Sequence, residues 1–236
     1  MRKVGFGIVF VFIVLLSGCG GNAATKNATT PVIGSADELL PGQSILDWKV
    51  YSDHLVLAHI ESQDLGEASA DEVQANEGMR ERTLNFVVDQ VLWSRAGGPD
   101  APKSFALAFD GTTFTGSEER PLRFAGEAWL KVGNSYVLPI VYLPSLGGDS
   151  KPAWSQLSTT SFIPEQDGVL GSGDTIVGGS KSESEAVAAL WGRKIDAAAE
   201  LLDQEVVPSA YMKYMDLPVV DRYRAIAANV ASTSGP

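Results

Sequence analysis

The sequence predicts a mainly β protein: a small antiparallel barrel of five to six strands over residues 36–180, followed by a helical C-terminal extension over 181–236. Three observations lead there. Between 53 and 170, apolar and polar residues alternate with the period of two that places one side of a strand against a core. Gly, Pro and Asp-Gly signals punctuate these runs at hairpin-like intervals. Past the glycine-rich "GVLGSGDTIVGGSKS" the apolar spacing changes to that of a helix.

The elements follow in chain order. Met1-Arg2-Lys3 is positively charged, and residues 4–16 form an uncharged, mostly apolar run of 13. At about 1.5 Å per residue this run is too short to span a bilayer comfortably, so it reads as the apolar part of a secretory signal. Leu16-Ser17-Gly18-Cys19 resembles the bacterial lipobox, and Cys19 is the only cysteine in 236 residues. The resemblance implies cleavage of residues 1–18, acylation of Cys19, and a cell-membrane location on the extracytoplasmic face. Residues 19–35 are then a lipidated flexible tether of small polar residues, with a reach of roughly 20–25 Å. Two acyl chains give stable anchoring where one is marginal.

Cleavage removes Arg2 and Lys3 and no acid, so the formal charge moves by two, from −11 to −13. An acidic body is repelled by nucleic acid and by anionic lipid, which excludes a DNA-binding role. Without a further cysteine, neither a disulfide framework nor a cysteine zinc site is available.

"SILDWKVY" reads as a short amphipathic helical piece at a barrel end, and residues 53–61 as the first strand. In 82–93, Leu84, Phe86 and Val88 share one face while Asn85 and Asp89 take the other; Phe105, Leu107 and Phe109 repeat the pattern against Ser104 and Asp110. Between these strands and the first, residues 62–81 are rich in charge and read as a long hairpin loop or a short exposed helix. "GEAWLKVGNSYVLPIVYLP" carries two apolar runs around Gly133-Asn134, predicting a hairpin. Pro139 and Pro144 place the second run at a sheet edge or at a bulge. Asp167-Gly168 predicts a last hairpin. In the tail, Ser182 and Glu185 form a capping box ahead of Val187, Leu190, Trp191, Ile195 and Ala198 at helical spacing, with Trp191 docking that helix on the barrel. A second helical region covers 211–230, broken near Pro218.

"YSDHLVLAHIES", "TLNFVVDQVLWS", "VGNSYVLPIVY" and the Asp-Gly hairpin resemble a loosely defined group of bacterial secreted and lipoprotein domains with OB-like barrels, distantly similar to the netrin module of tissue metalloproteinase inhibitors. The resemblance covers roughly residues 45–170 and implies an OB-like fold. Ala58 stands where the group often has glycine, and Trp93-Ser94 where it often has Lys-Gly. Those inhibitors use a free amino-terminal cysteine, which an acylated Cys19 does not supply, so no functional residue carries over.

Little in the sequence carries chemistry. His54 and His59 are five apart on one strand, hence on opposite faces, and do not share a metal; either can pair with a carboxylate such as Asp53 or Glu61. No G-x-S-x-G or S-x-x-K occurs, and Gly178-Gly179-Ser180-Lys181 is followed by Ser182 where an elbow needs glycine. Gly173 to Gly178 has P-loop spacing, but Gly179 occupies the lysine position. No metal or cofactor is expected. Trp129, Tyr136, Tyr142 and Trp154 cluster in the fourth and fifth β segments as a candidate interaction surface. The expected function is that of a non-catalytic binding or interaction module of the cell envelope, held to the membrane through Cys19 and facing an envelope protein partner. Two alternatives stand beside it: a carboxylate-dependent hydrolase built from Asp53, Asp89, Asp110 or Glu127, and a structural accessory subunit.

Overall fold

The alternating runs become strands. β2 (His54–Leu65), β3 (Glu77–Ser94) and β4 (Ser104–Thr115) form a long antiparallel ribbon, and β5 (Glu118–Phe124) returns along β4. On the other side of β2 lies β6 (Ser135–Leu143), which carries β7 (Ala153–Gln156) and β8 (Ile163–Gln166) end to end along its far edge. β9 (Val169–Leu170) hairpins back from β8, and β1 (Val32–Gly34) runs parallel to β5. The computed structural model describes residues 32–34, 38–124, 128–145, 151–172 and 184–233; Cys19, Glu127, Ser182 and the glycine-rich 173–180 fall outside them.

The sheet order is β1-β5-β4-β3-β2-β6-β8-β9 with β7 beside β6, and its two ends do not pair. This corrects the expected five- to six-stranded barrel: the architecture is an open, mainly antiparallel sheet with helices on one side. The sheet nevertheless curls. Bulges between Leu55/Val56, Leu57/Ala58 and Ile60/Ser62 bend the β2–β3 ribbon until β4 meets β7. Just past β7, Phe162 meets Phe109 of β4 edge to face at 5.7 Å, while β5 takes the outer edge of β4 at Thr112–Thr115.

Period two sorts the core into two faces. Val56, Ala58, Ile60, Leu84, Phe86, Phe105, Leu107, Tyr136, Leu138 and Ile140 lie inside the curl, with Phe86 stacked on Phe105 at 5.1 Å. Leu55, Val137, Val141, Ile163 and Leu170 face the other way. They meet α1 (Ile45–Tyr51), α3 (Glu185–Leu190), α4 (Asp196–Gln204) and α6 (Val219–Thr233), so sheet and tail helices share one core. The first half of β2 and most of β6 are buried on both faces, which accounts for their near-continuous apolar runs.

Ser44 caps α1, with Asp47 returning the bond to the Ser44 backbone. The charged 62–81 stretch splits into the end of β2, α2 (Ala70–Ala75) with a Ser69–Glu72 capping box, and the start of β3. Asp167 (φ 54°) and Gly168 (φ 76°) make the anticipated turn.

Four expectations about local structure are corrected. Residues 128–130 do not form a strand: they are tied to the ribbon by Arg82, which donates to the Leu130 carbonyl. Pro139 is in an interior strand, at the point where β7 stops; its carbonyl accepts from Leu157 N, so its missing N–H faces the interruption between β7 and β8. The cap of α3 is Ser184, whose Oγ accepts from Val187 N. The single helix expected over 187–198 divides into α3 and α4 because the intervening backbone pairs with β9: Leu170 N donates to Arg193 O, and Gly192 N, at φ 78°, donates to Leu170 O. That pairing covers the last edge of the sheet. Trp191 lies over Gly171, where a Cβ would sit 2.3 Å from the indole. α5 (Ser209–Met212) ends before Pro218, and α6 begins after it.

Candidate functional site

A cavity of about 180 Å³ opens where β3, β4 and β5 face the 157–162 insertion between β7 and β8. The backbone sets up its chemistry. At the bulge between Arg80 and Glu81 the register passes from Arg80↔Thr112 to Glu81↔Asp110, leaving Gly111 as the extra residue. A Cβ on Gly111 would come within 2.7 Å of Arg80 O, so glycine permits the close approach. Phe109 and Asp110, consecutive residues, both line the cavity across this irregularity.

Arg82 is in phase with Leu84 and Phe86 and is only 5% exposed. Its guanidinium donates to Leu130 O at 3.0 Å and lies 4.0 Å from the Trp129 ring centre. Arg123, from β5, lies 4.3 Å from the same ring. Each cation–π contact contributes about 0.5–2 kcal/mol, depending on desolvation. Phe109 and Phe162 supply apolar surface, and Gln156 and Thr159 supply polar groups. Burial alone raises the Asp110 carboxyl above the usual carboxylate range.

Of the four aromatic residues expected to form one surface, Trp129 lines this cavity. Tyr136 is fully buried, a correction to its place on an interaction surface; its Oη accepts from Lys131 N at 2.9 Å. Tyr142 is 41% exposed and pairs with Trp154 at 5.3 Å, and Trp154 in turn meets His54 at 5.4 Å. The tetrad is therefore divided among cavity, core and a separate aromatic cluster.

The acids do not converge either. Asp53 is buried against Arg95 (2.7 Å) and accepts from Tyr142 N (2.8 Å), Asp89 pairs with His59 (2.8 Å), and Asp110 is in the cavity. His59 thus pairs with a carboxylate, Asp89 rather than Asp53 or Glu61, and His54 bonds Ser94 Oγ and Pro99 O. Burial lowers the His54 pKa. Among the described residues no group of three or more His, Cys, Asp or Glu could hold a metal ion, and no helix is long and apolar enough to cross a membrane.

Sequence reading did not single out Arg82 or Arg123, since arginine ordinarily signals solvent. The available signal was phase: Arg82 continues the stripe of Leu84 and Phe86. No family model, curated protein or solved structure matches the chain.

Proposed function

We propose that this protein is a membrane-tethered binding module of the cell envelope, anchored through Cys19 on the extracytoplasmic face, that holds a ligand without transforming it. The observation that carries the binding reading is the cavity beside Trp129, where two arginines lie within 4.3 Å of one indole ring centre and Arg82 is fixed by a backbone carbonyl. Donors held in place before binding lose little freedom on binding, which is how a small cavity gains affinity. The lipobox-like residues 16–19 and the small polar residues between Cys19 and β1 support the location. The OB-like comparison remains part of the proposal, supported by the curl of the β2–β3–β4 ribbon.

The test is crosslinking of the full chain in intact cells, with Cys19→Ala as the unanchored control, followed by identification of what is joined to it. A ligand or partner joined to the wild type and lost on Arg123→Gln or Trp129→Ala supports the reading. Recovery of the same species from wild type and cavity variants contradicts it, as does efficient membrane retention of Cys19→Ala.

A further inference from the structure

Arg123 and Asp110 look into the same cavity without meeting. Neither side chain makes a hydrogen bond or ion pair with any described residue: the nearby ion pairs are Arg80–Glu119 and Arg120–Glu118. The Nε of Arg123 is buried and has no hydrogen-bond partner. Burial raises the pKa of the Asp110 carboxyl. Both side chains are partly exposed at the cavity wall, and charges so placed gain by taking an oppositely charged partner from a ligand. Here the Trp129 ring fixes Arg123 on β5 while the Gly111 bulge fixes Asp110 on β4. Phe109, Phe162, Leu122 and polar Thr159 line the same cavity.

We infer that this cavity binds a small α-amino acid with an apolar side chain, its carboxylate at Arg123, its ammonium at Asp110, and its side chain against Phe109 and Phe162. The inference rests on the binding reading above and adds the ligand class. A guanidinium presents paired donors matched to a carboxylate, and a carboxylate accepts from an ammonium. A volume near 180 Å³ exceeds the roughly 150 Å³ that admits a benzene ring, so it suits a leucine-sized molecule. Arg82 adds positive charge beside Trp129, and Glu81 adds negative charge at the β3 side, so the lining is bipolar.

The experiment is calorimetric titration of the full chain in detergent with three probes: L-leucine, L-leucine amide, which lacks the carboxylate, and 4-methylpentanoate, which lacks the ammonium. L-leucine is expected to bind at least about tenfold more tightly than either, the scale of one charge-assisted hydrogen bond. Arg123→Gln should weaken L-leucine and 4-methylpentanoate but not the amide, and Asp110→Asn should weaken L-leucine and the amide but not the acid. Near-UV circular dichroism establishes that the variants are folded, and the three-probe comparison on the wild type stands without them. If 4-methylpentanoate or the amide binds as tightly as L-leucine, the amino-acid assignment is overturned while the cavity remains a binding site. If L-leucine does not bind, the assignment is overturned as well, and crosslinking decides the binding reading separately.

Discussion

Replacing Phe162 with alanine removes the side chain that joins the two arms of the curled sheet. Phe162 is 2% exposed, and its ring meets Phe86 at 6.2 Å, Phe109 at 5.7 Å and Tyr136 at 6.4 Å. Truncating a buried phenylalanine costs about 3–5 kcal/mol, the larger figure applying where the surroundings cannot collapse. Collapse is hindered here because the insertion is held at both ends: Leu157 N donates to Pro139 O, and Ile163 pairs with Val137 of β6. Lost aromatic pairs add to the penalty, each about 0.5–1.5 kcal/mol beyond the area term. We therefore expect at least about 4 kcal/mol, a large part of the roughly 5–15 kcal/mol that a domain possesses. Urea unfolding followed by far-UV circular dichroism measures it, with Phe162→Leu as a milder companion losing about 1–2 kcal/mol. A loss below about 1 kcal/mol for Phe162→Ala would refute the argument that this ring holds β4 against the β7–β8 arm.

Arg222 is fully buried and donates to the Val50 and Leu217 carbonyls, while burial and then the Arg95 charge pull its pKa down to about 10. Arg222→Met orphans those carbonyls at about 1–3 kcal/mol each and relieves desolvation, so a net loss of about 1–3 kcal/mol is expected in thermal or urea melts. His54 has a pKa lowered by burial, so between that value and 6.5 the unfolded chain binds a proton that the folded chain refuses. Stability should accordingly fall as pH drops below about 6.5, and His54→Gln should flatten that limb of the stability–pH curve. Gly171→Ala forces a Cβ into the Trp191 indole at φ 78° and should cost at least about 1 kcal/mol, with a red-shifted tryptophan emission reporting the displaced ring.

Much of the sheet was readable from period two alone. Leu84, Phe86, Phe105 and Leu107 are buried as their alternation requires, and Asp167-Gly168 turns because both residues take the left-handed conformation. What escaped prediction was decided by distant partners. A local helical pattern runs through Trp191 and Ile195, but the β9 edge claims the backbone at 192–194. The run before Gly133 is apolar enough for a strand, yet Arg82 takes the Leu130 carbonyl, and Ile60 exchanges bonds with Gly133 and Asn134. The cavity was legible only through Trp129. Its arginines looked like surface residues, and its unpaired Asp110 was one acid among 29 until the Gly111 bulge brought it beside Phe109.

The most direct test of the binding account is native mass spectrometry of the full chain released from membranes in mild detergent, wild type beside Arg123→Gln. The account predicts a small-molecule adduct on the wild type, additional to any acyl mass at Cys19 and missing from the variant. Spectra with the same adducts in both proteins, or with none in either, would contradict a ligand held at the Arg123–Trp129 cavity.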